Sequence, residues 1–260
     1  MKLLISTDIE GVSGLTIFNE AKKGNLKYFK YRKIMAKELS SICGILKGND
    51  ITIRDAHGDG INLKKRYFDK KVKLIQGFDK SLDGMVKGID YTFDGVILHG
   101  YHSGAGSNMS PVDHTFNNKT IEYIKLNGKI VGETTFSIYT CALYNIPVFY
   151  IEGDEGAVLE AKGINNSIIG TITKRFNGEK EIKALDIVLK EIEHDLLIAL
   201  NKLKKNKDIF KAYLPNNFEI EIKFKNKNHR IWDKKEVTKI DEYTIRYSTN
   251  NFIDILKLLH

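Results

Sequence analysis

The chain of 260 residues reads as an α/β protein: a mainly parallel sheet with helices on both faces, followed by a smaller α+β portion. Three observations predict this. Short apolar runs alternate with stretches of helical period through the first two thirds. Acids and histidines gather immediately after those runs, where open α/β sheets bind their ligands. The last third changes to a long amphipathic stripe and then to period-two alternation.

The elements follow in order. Leu3-Leu4-Ile5 is a buried strand that ends in Asp8 and Glu10, set two apart before Gly11. Residues 28–46 predict an amphipathic helix, because Tyr31, Ile34, Met35, Leu39, Ile42 and Ile45 share one face. Gly48-Asn49-Asp50 closes it. Residues 51–54 form the second strand, ending in Asp55-Ala56-His57-Gly58, and 72–75 the third, with a short helix expected near 81–88. The strand at 95–99 leads into Gly100-Tyr101-His102, and a Gly/Ser/Asn/Pro loop over 103–113 ends at His114.

Residues 120–126 and 129–131 predict a hairpin around Asn127-Gly128. Glu133 opens a helix running to about 145. A strand at 148–151 ends in Glu152-Gly153-Asp154-Glu155, a short helix follows, and 167–172 is a further strand. Leu185, Val188, Ile192, Leu196, Ala199 and Leu203 stripe a long helix expected to begin near 179. Strands at 218–224, 236–240 and 243–247 and a closing helix from 250 complete the chain. The division expected is residues 1–180 as the main unit and 181–260 as a portion packed on it or interleaved with it, for packing or oligomerisation.

Composition narrows the function classes. The net charge of +8 comes from 41 Lys plus Arg against 33 Asp plus Glu. These basic residues are scattered, with no Arg-rich tract interleaved with aromatics, which argues against nucleic acid as a partner. Cys43 and Cys141 are the two cysteines, too few for a disulfide framework. No apolar run is long enough for a signal peptide core or a bilayer span, so a cytoplasmic location without membrane association is expected.

Side chains two apart on an extended segment project to the same side, so Asp8 and Glu10 can aim at one point. Carboxylates that close repel unless a cation or a proton lies between them. Each polar residue alone has a plainer reading: an acidic surface turn for Asp8 and Glu10, a turn histidine for His57, a first-turn acid complementing the helix dipole for Glu133. His99 sits on its strand and reads as a buried, satisfied residue. His194, His229 and His260 stand without polar company. Taken together, Asp8, Glu10, His57, His102 and Glu133 exceed the needs of one tetrahedral zinc. They fit two ions about 3.5–4 Å apart with a carboxylate between them, as in aminopeptidases and phosphatases. His114 is left as an acid/base group beside such a pair.

Ser6-x-Asp8-x-Glu10-Gly11, Asp55-Ala56-His57, Gly100-Tyr101-His102, His114 and Val131-Gly132-Glu133 resemble, in order and spacing, the zinc-dependent D-aminopeptidases of the DppA type. The likeness covers about residues 1–155, with only the general layout matching beyond. It implies a three-layer α/β/α sandwich and release of N-terminal D-residues, D-alanine above all, from short peptides at a two-zinc centre. It also implies a ring-like homo-oligomer, a decamer in that family, enclosing the active sites. By the same likeness Asp8 bridges the ions, Glu10 and His57 complete one, and His102 and Glu133 the other. His114 is the catalytic histidine, attacking directly or activating the nucleophile. Ala56 stands where the family usually carries serine, removing a hydroxyl from beside a ligand, where partners orient ligands. Asp55 and Asp113 are the candidates for supporting the ligands.

Two other readings are open. The Asp8-Ile9-Glu10 turn resembles that of aspartyl-phosphate phosphatases, which would make the chain a metal-dependent phosphoesterase; those enzymes want Asp in place of Glu10 and leave the histidines idle. A non-catalytic module could bind peptide or nucleotide through Gly104-Ala105-Gly106-Ser107, a loop lacking the lysine and threonine of a P-loop.

Overall fold

The structure, a computed structural model, describes residues 1–176, 178–227, 231 and 234–260. The chain begins with β1 (Lys2–Thr7), α1 (Tyr28–Ile45), β2 (Asp50–Asp55), β3 (Lys73–Ile75) and β4 (Gly95–Tyr101). There follow β5 (Ile121–Leu126), β6 (Lys129–Ile130), α2 (Glu133–Leu143), β7 (Val148–Asp154), α3 (Glu155–Ile164), β8 (Ile169–Phe176) and β9 (Lys180–Ile182). Helix α4 (Leu185–Lys205), strands β10 (Phe218–Phe224), β11 (Thr238–Lys239) and β12 (Thr244–Thr249) and helix α5 (Phe252–Leu259) complete it.

Seven strands form the main sheet in the order β3-β2-β1-β4-β7-β8-β9. All neighbours are parallel except β9, which runs antiparallel to β8. The inner strands are apolar runs buried on both faces, as a covered parallel sheet requires. Leu3, Ile5 and Ile97 face α1 and α4, packing with Met35, Leu39, Ile192 and Leu196. Leu4, Val96 and Leu98 face α2 and α3, packing with Ile138, Cys141 and Val158. This is the three-layer sandwich that the family resemblance implies.

From β1 the chain builds outward through β2 and β3, then returns to lay β4 on the other side of β1. The strand order therefore reverses between β1 and β4, the place where such sheets open a crevice.

The antiparallel second sheet has the order β11-β12-β10-β5-β6. Its apolar face packs on α5 through Ile220, Ile222, Phe252 and Ile255. Each sheet is thus built from two separated stretches of chain. The hairpin at 121–130 joins strands after residue 217, while β9 and α4 return to the main sheet. A line drawn at residue 180 cuts across both, because β5 takes its backbone partners from β10 and the α4 stripe covers β7 and β8.

Three elements differ from expectation. The helix near 81–88 is a single 3-10 turn, Gly84–Val86. Asp83 there donates its backbone N–H to the Ser81 hydroxyl, and Gly84 and Gly88 take positive φ. The long helix starts at Leu185, because 180–182 extend along the edge of β8. Strand β7 runs on through Glu152, Gly153 and Asp154, kept extended by pairing with β8 as far as Lys174. Cys43 and Cys141 are both free thiols. His229 lies outside the described residues.

Candidate metal centre

The acidic turn after β1 and the turn after β4 meet in backbone contact. Gly11 donates its N–H to the Gly100 carbonyl at 2.7 Å. A Cβ on Gly11 would lie 2.0 Å from the Tyr101 carbonyl oxygen, and one on Gly100, whose φ is +67°, 2.2 Å from that of Asp8. Only glycine fits either position. This approach sets Asp8 and Glu10 beside His102.

His57 follows β2 on a loop organised by Asp55. The Asp55 carboxylate accepts from the backbone N–H groups of Asn62 (2.5 Å) and Leu63 (2.8 Å) and from the Asn62 amide (2.7 Å). That amide also donates to the His57 carbonyl at 2.7 Å. Asp55 therefore acts on His57 through Asn62. Ala56 lines the cavity. Asp113 accepts from the Asn108 N–H at 3.2 Å and braces the loop ahead of His114, away from the ligand candidates.

Glu133 is the first residue of α2, and that helix cannot cap itself. Gly132 has no side chain to offer, and the Gly104 backbone occupies the space of a Cβ at 2.8–2.9 Å. Glu160 of α3 supplies the cap, accepting from Gly132 N (2.9 Å), Thr135 N (2.8 Å) and Thr135 Oγ1 (2.5 Å). Asp154 likewise holds Ser103 through its N–H (3.0 Å) and hydroxyl (2.7 Å). Ser103 in turn accepts the N–H of His114 at 3.2 Å. Neither Glu160 nor Asp154 carries a local sequence signal for this work, since each reaches a residue 25 or more positions away.

All six candidates converge. His57 Nδ1 lies 3.2 Å from Asp8 Oδ1 and 2.9 Å from Glu10 Oε2. His102 Nε2 lies 3.3 Å from Asp8 Oδ2 and 3.6 Å from Glu133 Oε2. Asp8 thus sits between the two imidazoles, one oxygen toward each. The His114 ring stacks on that of His102 with 4.1 Å between centroids, and Phe18 meets its edge at 4.9 Å.

The tautomers follow from the partners, because a carbonyl can only accept. His57 Nε2–H donates to the Ala21 carbonyl (2.9 Å), His102 Nδ1–H to that of Ser103 (3.0 Å) and His114 Nδ1–H to that of Val112 (3.1 Å). In His57 and His102 the remaining nitrogen faces two carboxylates. Lone pair against anion is repulsive until a proton or a cation lies between. Glu10 Oε2 and His102 Nε2 are buried and have no hydrogen-bond partner among the described residues. Imidazoles pinned through their far nitrogen and unpartnered carboxylate oxygens are what a divalent-metal site displays, so these residues fit zinc.

The titration of the groups agrees. Burial pushes the Asp8 carboxyl up, but the His102 and His57 rings set against its two oxygens outweigh it and hold Asp8 well below the usual range. Burial would lower His57, yet Glu10 and Asp8 hold it well above 6.5. His102 is raised in the same way by Glu133 and Asp8 against its own burial. Burial raises Glu133, and the charge of His102 more than reverses it.

His99 points to the opposite face of the sheet. It is fully buried, with Nδ1 2.7 Å from Thr7 Oγ1 and Nε2 3.4 and 3.3 Å from Glu38 and Glu152. Burial would lower this ring, yet the charge of Glu152 and Glu38 raises it above 6.5, so His99 and the two acids form a second buried cluster apart from the cavity. His194 is exposed beside Asp195, and His260 lines the cavity next to the centre.

That cavity has a volume of about 990 Å³. Asp8, Glu10, His57, His114 and Glu133 form its polar end, and Phe18, Phe116 and Phe136 its apolar wall. Leu256 and Leu259 of α5 close the far side. The size is that of a small-molecule site.

Comparison with known proteins gives a consistent picture. The family model described as D-aminopeptidase matches residues 1–260. A curated D-aminopeptidase of Bacillus subtilis (strain 168) is 29% identical over 189 residues, covering 71% of this chain and 68% of the relative. The solved structure of the Zn-dependent D-aminopeptidase DppA from Bacillus subtilis, described as a self-compartmentalizing protease, matches with a TM-score of 0.87 at 24% identity. The match covers 100% of this chain and 95% of that one.

Proposed function

Because the chain belongs to the D-aminopeptidase family, we propose that it is a zinc aminopeptidase releasing N-terminal D-residues, D-alanine foremost, from short peptides in the cytoplasm. Asp8 would bridge two zinc ions, Glu10 and His57 would complete one, and His102 and Glu133 the other. A single observation carries this reading: His57 and His102 each give one ring N–H to a backbone carbonyl and turn the other nitrogen onto a pair of carboxylates.

Held by these residues, zinc would supply a water of lowered pKa and a Lewis acid for the scissile carbonyl. The remaining work falls to the chain. His114, tied to Val112 through Nδ1, keeps Nε2 free to take a proton from a nucleophile and return it to the leaving amine. The stacked His102 ring and the Phe18 edge hold it in place. The cavity admits a short peptide and excludes a folded protein. Among the described residues no helix is long and apolar enough to cross a membrane. By likeness to the self-compartmentalizing relative, we propose that copies of this chain assemble around their active sites.

Metal content by mass spectrometry beside hydrolysis of D-alanyl-D-alanine and L-alanyl-L-alanine tests the reading. We expect about two zinc per chain, and D-peptide hydrolysis that is abolished by a chelator and restored by zinc. A folded protein indifferent to zinc would overturn it. So would greater activity on p-nitrophenyl phosphate than on D-alanyl substrates.

A further inference from the structure

At the acidic turn, strand β8 contributes two buried residues that do not line the cavity. Lys174 Nζ donates to the carbonyl oxygens of Glu10 at 2.5 Å and Val12 at 3.2 Å. Thr173 Oγ1 lies 2.6 Å from the carbonyl oxygen of Gly11 and 3.0 Å from that of Gly153, sharing one proton between them. Thr173 is 0% exposed and Lys174 2%. Two adjacent residues, more than 160 positions downstream, thus hold three consecutive carbonyls of the turn that carries Asp8 and Glu10.

The Glu10 and Gly11 carbonyls take their donors from outside the turn, while that of Val12 also accepts a long bond from the Leu15 N–H at 3.4 Å. The backbone N–H groups of the turn are already engaged: Asp8 with His99, Gly11 with Gly100, Val12 with Ile9 and Ser13 with the Glu38 carboxylate. A buried carbonyl without a donor costs free energy comparable to a lost hydrogen bond. Lysine suits the task, because its ammonium places three donors on a long stem and can reach oxygens two residues apart. Burying it is costly unless carboxylates surround it. Asp154, Glu38 and Glu10 supply that charge against the burial that pulls Lys174 down. So much buried charge on a turn with no fixed aim would be wasteful packing; on a turn that aims two ligands it has a use.

We propose that Thr173 and Lys174 are positioning residues of the metal centre, fixing the backbone from Glu10 to Val12 and through it the direction of the Glu10 carboxylate. This rests on the two-zinc reading above.

The test compares Thr173→Val, which keeps the shape and removes the hydroxyl, with Thr173→Ser, which restores it, and with Lys174→Met. Zinc affinity is read by competition with a chromogenic chelator. The visible spectrum of the cobalt-loaded protein is read in parallel, with kcat and KM. Thr173→Val should weaken one zinc by about 10- to 100-fold, change the cobalt bands and lower kcat far more than it alters KM. Thr173→Ser should return all three, and Lys174→Met, where it folds, should exceed the Val variant. Wild-type zinc affinity and cobalt bands in Thr173→Val, with only a lower melting temperature, would overturn the proposal while leaving the two-zinc reading intact. A wild-type chain that binds no zinc would overturn both.

Discussion

The imidazole rings of His102 and His114 lie face to face, 4° from parallel with 4.1 Å between centroids. With Nδ1 tied to the Val112 carbonyl at 3.1 Å, the stack fixes the plane of the His114 ring and leaves Nε2 as the nitrogen that can exchange a proton. His114→Ala should retain its zinc and lose about 10²- to 10⁴-fold in kcat, the usual contribution of a positioned acid/base group. Zinc content and kcat measured on one preparation check this. A drop in zinc content would mean that His114 is a ligand.

Zinc uptake should expel protons. His57 and His102 are held protonated above 6.5 by the acids around them despite their burial, while zinc takes the neutral imidazole. Affinity should therefore rise with pH through the neutral range, and binding at pH 7 should release about one proton per imidazole. Calorimetry in two buffers of different ionisation enthalpy counts them. The metal-free protein runs the opposite way. Its raised histidines contribute stability below 6.5 that is lost as pH climbs through their folded values.

Gly11→Ala should be severe. The new methyl would meet a backbone oxygen at 2.0 Å, which no side-chain rotation relieves. A loss of about 3 kcal/mol is expected from such overpacking, together with loss of zinc binding. Gly163→Ala in α3, where nothing lies within 4 Å of the new Cβ, should be neutral or stabilise by up to about 1 kcal/mol. Urea unfolding of the two variants gives the comparison.

Glu152 makes the fold sensitive to alkali. Its burial, and then the charge of Glu38, push it from the usual 4.5 up to about 8. The folded state therefore holds a proton that the unfolded chain releases above 4.5, and stability falls as pH rises from there to about 8. Glu152→Gln keeps an acceptor for the Gly100 N–H and removes the titration. Its melting temperature should fall less than the wild type's between about pH 5 and 8, and equal slopes would contradict this assignment.

The ligand candidates were legible because each carries a local mark. Asp8 and Glu10 stand two apart after an apolar run, His57 and His102 follow strands of their own, and Glu133 opens a helix. The parallel sheet and its switch point follow from the same alternation. The support beneath was not legible, because it acts at long range. Glu38 lies three residues after Met35 and four before Ile42, on the apolar face of α1, and that spacing was the one available sign of its burial. Lys174 reads as an ordinary strand lysine until β8 is laid beside the acidic turn. The charged stretch around 179–183 suits a helix surface as well as an edge strand, and only its pairing with β8 decides between them.

The hairpin at 121–130, seated between His114 and Glu133, finds its partner strand only at Phe218–Phe224. A polypeptide leaving the ribosome must therefore wait until most of it has emerged before the two arms of this segment can be fixed. On the proposed reading, capture of metal would be one of the last acts of maturation. A chain that stops short of Phe218–Phe224 therefore lacks the strand that fixes this hairpin beside the candidate site.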